Sequence, residues 1–128
     1  MVTPEHAKQV IETYCTAETA KDRETWLSLF ASDATHEDPV GAPVNRGIEA
    51  IGAFFDAGAG QMDLDLHTTA GPIVVGNEAL AFLEVHVGSG AERLVLTPIV
   101  DHMVFGDDGK IVALRAFFDP AGVIPDPE

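Results

Sequence analysis

Leu94-Val95-Leu96-Thr97-Pro98-Ile99-Val100-Asp101-His102-Met103-Val104-Phe105 runs into the turn signal Gly106-Asp107-Asp108-Gly109. β-Branched and apolar residues dominate it, so it reads as a strand. Side chains alternate along a strand, which puts Val95, Thr97, Ile99, Asp101, Met103 and Phe105 on one face. Leu96, Pro98, Val100, His102 and Val104 fall on the other. Asp101 thus sits on the more apolar face. Leaving water disfavours a carboxylate, so a neutral acid that donates a hydrogen bond is the cheaper state there. A structural Asp, at a bulge or beside an arginine, is the plain alternative.

Outward from this strand, short turns lead to similar runs. Leu64–Val75, bent at Gly71-Pro72, turns at Gly76-Asn77 into Ala79–Val87. Gly88-Ser89-Gly90 leads into Arg93–Phe105, and Gly106–Gly109 into Lys110–Phe118. Short connections imply antiparallel neighbours. Upstream the period changes to helical. Thr3 caps a helix that starts at Pro4-Glu5, with Ala7, Val10, Ile11, Tyr14 and Cys15 on its inward stripe. Asp22 caps a second helix running to about Phe30, with Trp26, Leu27 and Phe30 buried. Ala34–Asp38 is a short extended piece stopped by Pro39, and a third helix spans Gly47–Ala57. Helices followed by consecutive strands predict an α+β domain, one curved antiparallel sheet wrapping the helices around an apolar pocket. At 128 residues the chain is expected to be a single domain, residues 1–128, with Asp119–Glu128 leaving the fold as a flexible tail.

The formal net charge is −14, which repels phosphate backbones and anionic lipid. Nucleic acid and membrane are therefore not expected as partners, and a neutral ligand is. Cys15 is the single cysteine, so no disulfide forms within the chain. With no apolar run of membrane-spanning length and no signal-peptide pattern, a soluble cytoplasmic protein is expected.

Three groups carry candidate chemistry: Tyr14 facing the core, Asp38 held before a proline, and Asp101 on its apolar face. A core tyrosine hydroxyl needs a partner or a ligand. Two carboxyls in unlike surroundings suggest one acid kept neutral and one base kept ionised, which lets a single pocket move protons at neutral pH.

Phe30-Ala31-Ser32-Asp33-Ala34-Thr35-His36-Glu37-Asp38-Pro39-Val40-Gly41, Gly47, Ile51-Gly52-Ala53-Phe54-Phe55 and Ile99-Val100-Asp101-His102-Met103-Val104-Phe105 resemble the bacterial Δ5-3-ketosteroid isomerases. Tyr14 falls at that family's first-helix tyrosine. The resemblance covers nearly the whole chain up to about Phe118 and implies the NTF2-like (cystatin-like) fold, conical with an internal apolar pocket. It implies catalytic Tyr14, Asp38 and Asp101, with Asp38 moving a proton between two carbons of a 3-oxo-Δ5-steroid. Tyr14 and neutral Asp101 would donate to the dienolate oxygen. Neither a metal nor an organic cofactor is needed for this. Phe54, Phe55, Phe82, Met103 and Phe118 are the candidates for apolar contact with a steroid-like ligand. Where family members often carry supporting tyrosines, this chain has Phe30 and Phe55.

Two other readings remain open on the same fold. One is a steroid- or lipid-binding protein with little turnover. The other is a different enzyme, such as a polyketide cyclase or an epoxide hydrolase, the latter favoured if Arg93 or Arg115 lay between the carboxyls. The outward positions Leu96, Val100 and Val104 point to a homodimer packed sheet to sheet. His36, Glu37 and Asp38 are not expected to bind metal, because neighbours on an extended chain point apart. His67, His86 and His102 read as sheet-surface residues, and Cys15 as inert packing.

Overall fold

A computed structural model describes residues 1–126. The first helix, α1 (Pro4–Ala20), starts where the Thr3 side chain accepts from His6 N, and it buries Ala7, Val10, Ile11, Tyr14, Cys15 and Ala17. The second, α2 (Arg23–Ser28), is capped by Asp22 and buries Trp26. It ends two residues short of Phe30, which begins a strand. That strand, β1 (Phe30–Glu37), is followed by β2 (Asn45–Arg46), α3 (Gly47–Ala57), β3 (Leu64–Val75), β4 (Glu78–Val87), β5 (Leu94–Phe105), β6 (Ile111–Phe117) and β7 (Val123–Pro125). The mixed α+β architecture matches the sequence expectation, with the helices covering one face of a curved, unclosed sheet.

The sheet order is β2-β1-β6-β5-β4-β3, with β7 added against β5. The short extended piece before Pro39 is therefore longer than expected and belongs to the sheet, pairing in parallel with β6. Local pattern gave no hint of this, because the partner lies more than seventy residues along the chain. The stretch after Phe118, expected to leave the fold, returns to it instead. Asp119 caps a single turn, and Val123–Pro125 then pair with Leu96–Leu94. Positions 127 and 128 of that expected tail lie outside the described residues.

A bulge decides which face of β5 looks inward. Leu83 pairs with Ile99 but Val85 pairs with Leu96, so two steps on β4 span three on β5. The extra residue falls at Thr97-Pro98, where proline offers no N–H to the ladder. Directly opposed residues share a face. Beyond the bulge, Leu94 and Leu96 therefore turn inward with Val87 and Val85, and all four line the internal cavity. Strict alternation had placed Leu96 outside, and that expectation is corrected; Thr97, expected inside, is exposed. Val100 and Val104 remain on the outer face, half-buried.

Candidate active site

Between the sheet and the helices lies a cavity of about 420 Å³. Its position follows from small side chains. Asp101 pairs in register with Ala81 on β4 and Ala116 on β6. Flanking alanines leave room over the carboxyl that Val or Leu would fill. Two residues further along, Met103 is flanked by Ala79 and Leu114. It is fully buried in the core and does not line the cavity. Phe82 is corrected as well. It pairs with Val100 on the outer face, because its neighbours Ala81 and Leu83 take the inner positions of β4. Phe54, Phe55 and Phe118 do line the cavity.

Tyr14, Asp38 and Asp101, brought from α1, the end of β1 and the middle of β5, face this one space. Glu37 and Arg115 are paired across β1 and β6, and the Arg115 Nε donates to Glu37 Oε1 at 2.9 Å. The same alternation that turns Glu37 outward turns its neighbours His36 and Asp38 inward. Val40 N donates to Ala116 O at 2.8 Å, fixing the loop after Asp38 beside the strand that flanks Asp101. Arg93 pairs with Asp126 at 2.8 Å. Neither arginine lies between the carboxyls, and no lysine or arginine is among the described residues lining the cavity.

Without a cation nearby, burial sets the protonation states. Asp101 is held well above the ordinary carboxylate range, first by burial and then by the charges of Asp38 and Glu18. Both causes favour its protonated form, which can donate a hydrogen bond. Burial alone raises Asp38 to about 6, which leaves it largely ionised at neutral pH. Tyr14 is pushed well above its ordinary value by burial, then by Glu18, Asp101 and Asp38. Its phenol stays protonated and able to donate. Cys15 rises to about 12, mainly by burial, and is a thiol rather than a nucleophilic thiolate.

Glu18 was not singled out from the sequence. It lines the cavity one helical turn beyond Tyr14. Burial and then the Asp38 charge raise it to about 8, partly countered by the Trp26 indole N–H. That N–H is fully buried and close enough to act on the carboxylate, yet it falls short of hydrogen-bond geometry. The signal was present: positions four apart share a helix face, so the Tyr14 stripe continues to Glu18. The cavity therefore holds three carboxyls, ordered by environment with Asp38 the first to ionise.

His36 was also undervalued. It is fully buried, and burial lowers it to about 4, so the ring is neutral. Asn45 Nδ2 lies 3.2 Å from His36 Nδ1. An amide donor there assigns the proton to Nε2, which sits 3.8 Å from Asp38 Oδ2 with no other partner. The ring is a latent donor toward the Asp38 carboxylate. Phe30 and Phe55 pack against Trp26, each with ring centroids 4.9 Å away, and Trp26 in turn lies 5.6 Å from the Tyr14 ring. Apolar aromatic packing, with no second phenol, surrounds Tyr14.

A helix-covered, curved sheet that encloses an apolar cavity with a few convergent acids defines the NTF2-like class of α+β proteins. The chain belongs to the SnoaL-like domain family, whose model matches residues 11–124. It is 40% identical over 100 residues to a steroid Delta-isomerase of Nocardioides simplex, covering 78% of this chain and 79% of that protein. The crystal structure of RV0760c from Mycobacterium tuberculosis superposes with a TM-score of 0.84 at 24% identity, covering 97% of this chain and 98% of the other. A computationally designed 17-OHP binder gives a TM-score of 0.81 at 22% identity, covering 96% and 98%. At those identities the two structures speak for the fold alone. No helix among the described residues is long and apolar enough to cross a membrane.

Proposed function

We propose that the chain is a steroid Δ-isomerase that converts 3-oxo-Δ5-steroids to conjugated 3-oxo-Δ4-steroids. The observation that carries this is a pair of carboxyls in unlike surroundings, deeply buried Asp101 and less enclosed Asp38, facing one apolar cavity with Tyr14; burial favours the protonated form of Asp101. Asp38 removes a proton from the carbon between the ketone and the double bond. The electrons move toward the ketone oxygen, giving a dienolate. Tyr14 and Asp101 donate hydrogen bonds to that oxygen. As in the ketosteroid isomerases, the established case of this device, a neutral acid supplies a donor without a competing charge. Asp38 then returns the proton two carbons along, and no net proton is consumed. Few waters compete in a dry, preorganised site, and each oxyanion donor contributes about a hundred- to a thousand-fold in rate. Phe54, Phe55 and Phe118 hold the apolar ligand.

A second reading, steroid binding with little turnover, is favoured by the absence of a phenol supporting Tyr14. Turnover separates the two. Mixing the purified chain with a 3-oxo-Δ5-steroid should produce saturable growth of the conjugated enone absorption, abolished by Asp38→Asn. Steroid binding without that absorption would leave only the second reading. The metal-free proton transfer between carbons also needs no arginine between carboxyls, and Arg93 and Arg115 both pair elsewhere. The feature that would have favoured an epoxide hydrolase, an arginine between the carboxyls, therefore gives that reading no support.

The proposed working form is a homodimer. The outer face carries Val100, Phe82 and Phe117, with Phe117 43% exposed. Sedimentation should give twice the chain mass, and Phe117→Asp should return it to the monomer value.

A further inference from the structure

The outer face of the sheet holds a second cluster, unrelated to the cavity. His67 on β3 pairs in register with Glu84 on β4, and Asp65 pairs with His86. Directly opposed and alternate residues share a face, so all four side chains emerge together. Glu84 Oε2 lies 3.0 Å from His67 Nε2 and 2.7 Å from His86 Nε2. The two rings stack at 16° with centroids 5.2 Å apart, so both Nε2 atoms converge on one oxygen. The other nitrogen of each ring faces its own carboxylate. His67 Nδ1 is 3.6 Å from Asp65 Oδ1, and His86 Nδ1 bonds to Asp126.

We propose that His67, Glu84 and His86 form a binding site for one divalent transition-metal ion of the zinc type. Two imidazole nitrogens and one carboxylate oxygen suit a borderline cation, whereas calcium and magnesium prefer oxygen alone. All three donor atoms lie within 4.8 Å of one another. Ligands on a tetrahedral zinc, at about 2.0–2.1 Å each, stand about 3.3 Å apart. The two contacts to Glu84 need to open by about 0.3–0.6 Å, and the two imidazole nitrogens, within 4.8 Å, need to settle at about the same 3.3 Å, which side-chain rotations supply. Asp126, hydrogen-bonded to His86 Nδ1, is the kind of carboxylate that orients a metal-bound imidazole and raises its basicity, and Asp65 stands 3.6 Å from His67 Nδ1, close enough to take that part after a small rotation. The His67 side chain is 43% exposed, giving the ion a path in and leaving a fourth position for water.

The consequence is structural. The ion would tie the edge strand β3 to β4. Through His86 and Asp126 it would also hold β7, whose Val123 lines the cavity. This proposal stands apart from the isomerase reading, and its test does not depend on turnover.

The test is titration of the full, tag-free chain with Co²⁺ and Zn²⁺, followed by visible absorption, calorimetry and thermal melting. One equivalent should bind saturably at micromolar concentration, with tetrahedral Co²⁺ bands and a raised Tm. His67→Ala and Glu84→Gln, both surface changes, should each weaken binding by tenfold or more while circular dichroism stays unchanged. Asp126→Asn should weaken it about 10- to 100-fold. His102→Ala, altering a separate histidine paired with Glu78, should leave binding unchanged. Absence of saturable binding below about 100 μM, or binding indifferent to both His67→Ala and Glu84→Gln, would overturn the proposal.

Discussion

The inside and the outside of this sheet each gather three carboxyls, with opposite results. Within the cavity, Glu18, Asp38 and Asp101 meet no cation, and all three are pushed above the ordinary range. On the outer face, Asp65, Glu84 and Asp126 face histidines or Arg93. Glu84 is held below its ordinary value, chiefly by its hydrogen bond to His86. His86 is raised by Asp126 and then Glu84. Residue type is the same, and what differs is whether a histidine or arginine stands beside the group: the Asp126 side chain is only 1% exposed, yet it meets His86 and Arg93. On the outer face the charge of Glu84 is favoured in place, whereas in the cavity each further charge is disfavoured, a condition suited to moving a proton rather than holding an ion.

The contrast breaks most sharply at Asp38. Asp38→Asn should lower isomerisation about 10²- to 10⁴-fold, the usual worth of a general base, with steroid affinity near that of the parent. Steady-state kinetics and ligand titration check this, and full turnover would remove Asp38 from its role. Next comes Asp101. Asp101→Leu should cost about 10²- to 10³-fold in kcat while folding normally, because a buried polar group gives way to an apolar one. An intact kcat in a folded variant would show that the neutral acid is only structural.

A smaller effect sharpens the ordering of the inner acids. Activity should rise with pH as Asp38 ionises near pH 6 and fall as Glu18 ionises near pH 8. The second charge would sit where the dienolate must form. Glu18→Gln should erase the alkaline fall and keep the acid limb, so an unchanged pH–rate profile would take Glu18 out of the cluster.

Stability gives the matching test. The folded pKa of Glu18 is raised above the unfolded one, so between pH 4.5 and about 8 the folded state holds more protons and stability falls as pH rises. Glu18→Gln should therefore gain about 1–3 kcal/mol at pH 7, and almost nothing at pH 4, in urea unfolding. The smallest effect belongs outside. Glu84→Gln, measured without added metal, should change stability by no more than about 1 kcal/mol and leave the pH–rate profile alone. A shifted profile would mean that the two sets of acids communicate.

Some of this was legible in the residues. The Thr3 cap, the Ala7–Cys15 stripe and the bounds of α3 and β3 follow from spacing and turn chemistry, and the structure has them. Asp101 on an apolar face was readable because one carboxyl interrupts a β-branched run. Phe82 and Met103 were not readable as non-lining residues. For Met103, which end of a strand face borders a cavity and which end packs shut depends on the residues opposite; for Phe82, which face of β4 looks inward depends on its pairing with β5. Glu18 was within reach through its spacing from Tyr14, but a glutamate near a helix end ordinarily meets solvent. The inward turn of Leu96 was hidden by the bulge at Thr97-Pro98, since one extra residue reverses every face beyond it.

By itself the sequence determined the kinds of element, their order, and the presence of a tyrosine and two aspartates in unlike surroundings. Those depend on neighbours a few residues away, which periodicity and turn chemistry report directly. Only the tertiary structure decided that β1 lies beside β6, that Arg93 and Arg115 pair with Asp126 and Glu37, and that Glu18 joins Asp38 and Asp101 around one largely apolar cavity. Each of those depends on pairing between distant segments. The charge state of a buried acid is set by whatever long-range pairing brings, or fails to bring, within a few ångströms of it.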